Sequence, residues 1–162
     1  MEISIDETDI KILNLLQQNA RLSHKEMGDR LHKAPTTIFT RIAKMEKAGL
    51  IRAYVALLAP ARVRRGQTIF THVQLNTHSE ESMRFFCEAI LAMPEVMECY
   101  QLTGAFDFML RVVVEDVASF EQFLVGSLFK TGLIAKTEST IIIREIKKET
   151  AYALSLNQVQ RS

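Results

Sequence analysis

Apolar positions in the first third of the chain recur at helical spacing in three short runs. With about 3.6 residues per turn, side chains three, four and seven apart share a face. Asp6 to Gln18 places Ile10, Leu13 and Leu16 on one stripe. A second run follows Ser23, where Ser23 and Glu26 form an S-x-x-E capping box that satisfies two otherwise orphaned backbone donors, and Met27 and Leu31 give its buried side. The third runs from Pro35 to Ala48, with Pro35 suited to a first helical position and Gly49 to a left-handed stop. Ile38, Ile42 and Met45 form its apolar stripe. The run Leu50 to Leu58 reads as a strand, so three helices and a strand predict a winged helix-turn-helix.

After an interruption at residues 59–67, A-P-A-R-V-R-R-G-Q, the period changes. Thr68 to Asn76 alternates, with Ile69, Val73 and Leu75 on one face and Phe70 on the other, which predicts a strand covered on both sides. Glu80 to Met93 predicts a helix capped by Ser79 with Met83, Phe86, Ile90 and Leu91 buried. Val96 to Thr103 is a second strand. The order then repeats: strand Phe106 to Val114, helix Val117 to Phe129 with Phe120, Leu124 and Leu128 in register, and strand Thr137 to Lys147. Two interleaved units of this kind give a four-stranded antiparallel sheet with both helices on one face, the ferredoxin-like βαββαβ arrangement. The fold class is therefore α+β: residues 1–58 a winged helix-turn-helix, 59–67 a hinge, 68–148 the ferredoxin-like part, and 149–162 a C-terminal tail. The uncovered sheet face calls for a second copy, hence a two-fold homodimer presenting two recognition helices to a pseudo-palindromic DNA site.

Charge sharpens this picture. Residues 21–65 hold 11 basic and three acidic side chains, a balance of +8, whereas the whole chain is only +1. A polyanion is drawn to that part alone. On the helix Pro35 to Ala48, Thr36, Thr37, Thr40, Lys44 and Lys47 fall opposite the apolar stripe, with Phe39 and Arg41 on its flanks and Arg52 just beyond its stop. Short hydroxyls admit a backbone close to phosphates and bond phosphate or base edge; Arg can bond the O6 and N7 of guanine together. These seven polar residues are the DNA-binding candidates. The hinge arginines Arg62, Arg64 and Arg65 are open to two readings, contacts to flanking phosphates or a solvated linker.

Other chemistry is sparse. At 162 residues and 48% apolar content the chain can bury one core or two small ones. No apolar run approaches the roughly 18 residues of a membrane span, and M-E-I-S-I-D-E is unlike a secretory leader, so a cytoplasmic location is expected. Cys87 and Cys99 have no metal-ligand spacing; they read as small buried hydrophobes, with a redox pair as the lesser alternative. His24, His32, His72 and His78 form no H-x-x-H or H-E-x-x-H arrangement, and no Gly-rich phosphate loop occurs. No catalytic residue, metal or cofactor is expected.

The run D-x-x-D, then I-L-x-L-L-Q-x-N-A-R-L-S, a helix ending R-I-x-K-M-E-K-A-G-L-I-R-x-Y, and later T-G-x-x-D-x-x-L-x-V together resemble the Lrp/AsnC family of feast/famine transcriptional regulators, from about Asp6 to Lys147. The resemblance implies dimers that assemble further, often to octamers, and a small effector, usually an amino acid, held where dimers meet near the turn between the second and third strands. On that basis Tyr100, Leu102, Thr103, Gly104, Asp107, Thr137 and Ser139 are the effector-binding candidates. Physically, Gly104 allows positive φ and leaves N–H groups open to a carboxylate, while Asp107 could meet an ammonium or merely stabilise the turn. Phe106 and Met109 beside it would favour an aliphatic or aromatic side chain. Two features depart from the family pattern: Arg64 and Arg65 before Gly66, and the tail. Sirohaem decarboxylases resemble the same two-domain plan, so an enzyme of that kind is the alternative; its candidates for tetrapyrrole propionates would be His72, His78, Arg84, Arg111, Arg144 and Arg161. A third reading, a vestigial DNA-binding half, is opposed by the +8 balance.

Overall fold

A computed structural model describes residues 4–156. The chain divides into two compact units: one runs to Ala56 and resumes at Lys147, the other is Leu57–Ile146.

The first unit is built on α1 (Glu7–Gln18), α2 (His24–Leu31) and α3 (Pro35–Lys47). Each of the first two starts at a reciprocal cap. Asp6 and Asp9 form one on α1, and Ser23 and Glu26 form the expected one on α2. Ile10, Ile12, Leu13, Leu22, Met27, Ile38, Ile42 and Met45 close a small core. Gly28 is fixed by the turn after α2: a Cβ there would stand 2.5 Å from the Lys33 carbonyl, and His32 takes the left-handed conformation at φ 54°. Gly49, at φ 74°, follows α3 as expected.

The run 50–58 departs from expectation. It forms no strand among the described residues, its start turning back on α3 through the Leu50 and Ile51 N–H groups to the Met45 carbonyl, and Val55, Leu57 and Leu58 are exposed. A strand requires a hydrogen-bonded neighbour, and the described residues lay none beside it. Tyr54 instead turns back, its hydroxyl donating to Glu46 Oε1 over 2.9 Å; burial, helped by that carboxylate, pushes its pKa up to about 12. Past the last strand, the chain from Lys147 to Leu156 belongs with the first unit.

In the second unit a 3₁₀ turn, Pro60–Val63, precedes β1 (Gln67–Leu75), α4 (Glu80–Leu91), β2 (Val96–Gln101), β3 (Phe108–Val114), α5 (Val117–Phe123) and β4 (Ile134–Ile141). The sheet is antiparallel in the order β2-β3-β1-β4, the interleaved topology expected. On β1 the residues Ile69, Thr71, Val73 and Leu75 are buried, and the three apolar ones make the core with Phe86, Ile90, Leu110, Val112, Phe120 and Leu128.

Several boundaries shift for physical reasons. β4 was expected over Thr137 to Lys147, but its ladder with β1 ends where Ile141 meets Ile69, close to the start of that strand, so residues beyond have little left to pair with. The helix expected to reach Phe129 remains α-helical only to Phe123 and continues as a π-turn (Leu124–Leu128) and a 3₁₀ turn (Phe129–Thr131). Leu91, placed in the buried stripe of α4, is the last residue of that helix and 88% exposed. Cys87 and Cys99 are exposed, not buried: one lies on α4 beside the buried Phe86, the other on the edge strand β2.

Candidate DNA-binding face and effector turn

α3 shows one face to solvent. Thr36, Thr40, Lys44 and Lys47 are exposed, Thr37 is half-buried, and Ile38, Ile42 and Met45 point inward. Thr40 Oγ1 donates to the Thr36 carbonyl over 2.9 Å, which leaves its lone pairs for an incoming donor. Arg52, past the helix, is exposed as well. Thr36, Thr37, Thr40, Arg41 and Lys44 line a cleft of about 550 Å³ together with Ser4, Asp6 and Asp9.

Arg41 is engaged within the fold. Its Nη1 donates to Asp6 Oδ2 over 2.7 Å and to Asp9 Oδ1 over 2.8 Å. The guanidinium thus straddles the cap of α1, and the hydrogen bonds of Asp9 and Asp6 raise its pKa further. Burial pushes the Asp6 carboxyl up, but the Asp9 N–H, the Arg41 guanidinium and charge, and the Thr8 N–H outweigh it, so the pKa is lowered overall. Lys44 Nζ donates to the Ser4 carbonyl over 3.1 Å, a single exposed bond that a phosphate can replace. Sequence reasoning missed the Arg41 contacts, although Asp6 and Asp9 stand at N-cap and N3 spacing, which places two carboxylates at one helix start.

In the second unit Leu102, Thr103, Gly104 and Asp107 gather at the β2–β3 turn. Gly104 has φ 122°, a conformation that side-chain-bearing residues rarely adopt. Asp107 is fully engaged within the fold. Its Oδ2 accepts the Leu75 N–H over 2.7 Å, its Oδ1 lies 3.1 Å from His78 Nε2, its N–H donates to the Val73 carbonyl and its carbonyl accepts from Leu102. This carboxylate ties the turn to the end of β1. Tyr100 lies on the sheet face away from the helices, in register with Met109, and its hydroxyl donates to Glu98 Oε2 over 2.9 Å. That hydrogen bond, then the charge of Glu98, raises its pKa. Thr137 and Ser139 stand on β4, the opposite edge from β2. Ser139 meets the buried Thr71, Oγ to Oγ1 at 3.1 Å, on the core side. One chain therefore clusters the turn residues but keeps Tyr100 and the β4 hydroxyls on different strands and faces. Phe106 adds a platform no spacing rule had marked as such: its ring lies 5.4 Å from that of His72, tilted by 43°, and 5.3 Å under Lys136 Nζ.

Among the described residues no helix is long and apolar enough to cross a membrane, and no group of three or more His, Cys, Asp or Glu could hold a metal ion.

Two known domain families match the chain. Residues 5–52 match a winged helix-turn-helix DNA-binding model, and residues 68–152 match the Lrp/AsnC ligand binding domain. The chain is 31% identical over 150 residues to the proline dehydrogenase transcriptional activator of Rhodobacter capsulatus, covering 93% of this chain and 97% of that protein. A transcriptional regulator from Neisseria meningitidis, solved as an L-Met complex, superposes with a TM-score of 0.88 at 33% identity, covering 96% of this chain and 99% of that one. An AsnC family regulator from Agrobacterium tumefaciens gives a TM-score of 0.87 at 34% identity, over 95% and 99% of the two chains. The sirohaem-decarboxylase-like alternative finds no support in these relatives. With an N-terminal helix-turn-helix and a four-stranded ligand-binding domain, both matched over most of their length, the chain belongs to the Lrp/AsnC family of DNA-binding transcriptional regulators.

Proposed function

We propose that this regulator reads duplex DNA through the exposed face of α3 and that an amino acid bound by the second unit tunes the reading. The observation that carries the first half is the solvent-facing row Thr36, Thr40, Lys44 and Lys47 within a segment of balance +8. Lys44, Lys47 and Arg52 neutralise phosphates, while Thr36, Thr37 and Thr40 approach backbone and base edges. Arg41, bonded to Asp6 and Asp9, holds this face in place and is not a guanine reader in this scheme.

An amino-acid effector is supported by the L-Met complex of the Neisseria regulator. In this reading the turn Leu102, Thr103 and Gly104 meets the ligand carboxylate through its backbone. Asp107 keeps the turn in shape. Tyr100, Thr137 and Ser139, spread over one chain, contribute to a ligand site only if a neighbouring copy brings its own residues alongside. The homodimer, with Phe70, His72, Met109 and Tyr100 on the sheet face that a partner would cover, and its growth towards an octamer, belong to the same reading. Effector and DNA are linked when the ligand binds one assembly better than another. The protein works by binding rather than catalysis, in the cytoplasm where its DNA lies. Selection of sites from random duplexes, with and without each of the common amino acids, tests this: a consensus that shifts in affinity with one amino acid is expected, and no enriched sequence under any condition would refute it.

A further inference from the structure

The C-terminal segment leaves β4 and returns to the first unit. There the Tyr152 N–H donates to Gln17 Oε1 over 2.7 Å, and Gln17 Nε2 donates to the Tyr152 carbonyl over 3.1 Å. A primary amide carries donor and acceptor side by side, so one side chain on α1 satisfies both main-chain groups of one residue, as a neighbouring strand would. Beyond it burial alternates. Leu154 and Leu156 are half-buried against the core of the three helices while Ser155 is exposed. These leucines lie outside both family matches, which end at residues 52 and 152.

We propose that the segment Tyr152–Leu156, held on α1 by Gln17 and on the three-helix core by its leucines, is a strap restricting the DNA-binding unit. A three-helix unit of this size is short of apolar burial, so two additional leucines matter to it. The chain passes between the two units twice, at 56/57 and again at 146/147. With the strap seated, the helix-turn-helix is tethered at two points; released, it hangs from the hinge alone and must surrender more orientational freedom when it binds DNA. Residues 142–151 join the strap to β4, which bears Thr137 and Ser139. This second step rests on the proposed DNA-binding reading.

The test uses the full chain with Gln17→Ala, and with Leu154→Ser/Leu156→Ser, followed by hydrogen exchange and by duplex binding across a salt series. The amides of α1 should exchange about tenfold faster in the double variant while those of β1, β3 and β4 keep their rates. Duplex affinity should fall by about three- to tenfold with an unchanged salt slope, because no phosphate contact has been removed. Gln17→Ala should show the same pattern more weakly, and it guards against a variant that simply fails to fold. Unchanged exchange in α1 for both variants would overturn the strap. Faster exchange with unaltered affinity would overturn the restriction, and a flattened slope would mean that the segment touches DNA itself. If the unaltered chain bound no duplex at all, the DNA-binding reading would fail while the exchange result still judged the strap.

Discussion

Arg41 on α3 is held 2.8 Å from Asp9 at the first turn of α1, and Asp9 is almost wholly buried. The helix that presents the hydroxyl face is thereby pinned to the helix that closes the core behind it. Removing the cation leaves the buried Asp9 carboxylate with only its cap hydrogen bond from the Asp6 N–H, a loss of about 1–3 kcal/mol for a charged hydrogen bond of this kind. Arg41→Ala is therefore expected to lower the melting temperature of the first unit and to weaken all duplexes alike, with Arg41→Lys recovering part of the loss. A changed base preference at a single position, with melting unaffected, would return Arg41 to the role of a base reader.

The same cluster sets an acid limit. The pKa of Asp6 is lowered in the folded chain, so the unfolded chain binds its proton more readily. The stability it contributes is present above the unfolded carboxylate value, about 3.9, and is lost as pH falls through the lower folded value. Thermal melts of the first unit taken from pH 6 down to about pH 2.5 should fall with acid in that window. Asp6→Asn should flatten this fall, and an identical profile for the variant would show that the cluster does not govern it.

Lys44 and Lys47 are expected to act as phosphate ligands. Each change to Ala should weaken specific and random duplexes to a similar extent and reduce the slope of log affinity against log salt by about one. Thr37→Ala, by contrast, should leave the slope intact. Fluorescence anisotropy over a salt series separates these outcomes; a full slope in both lysine variants would place the DNA elsewhere.

At the effector turn, Asp107→Ala leaves the Leu75 N–H without its partner and releases His78. The second unit should lose about 1–3 kcal/mol and bind an amino-acid effector more weakly, while the first unit keeps its exchange pattern. Calorimetric titration with L-methionine and the other amino acids, beside hydrogen exchange, reads both effects. Full stability with abolished ligand heat would instead make Asp107 a direct contact.

Local chemistry made the helices legible: Ser23 and Glu26 announce α2, Pro35 and Gly49 bracket α3, and the i, i+4, i+7 stripe of Ile38, Ile42 and Met45 fixes which face is buried. The alternation of β1 likewise announced its core residues. What stayed hidden depends on partners distant in sequence. The run 50–58 has strand-like composition without a neighbour to pair with, and β4 stops where β1 runs out, not where its β-branched residues do. Arg41 sat on the correct flank of α3, but its carboxylates come from a helix some thirty residues away. Likewise, Gln17 gave no sign that it would grip Tyr152, a contact spanning 135 positions.

The claim on which the account turns is that the solvent-facing row of α3 meets DNA under the control of a bound amino acid. Its most direct measurement is the affinity of the purified chain for its selected duplex, titrated with and without the amino acid that gives binding heat. Affinity should change with the amino acid in the unaltered chain, and a Thr36→Ala/Thr40→Ala/Lys44→Ala variant should lose the duplex while still binding the amino acid. Undiminished duplex binding by that variant, or an affinity indifferent to a ligand that demonstrably binds, would contradict it.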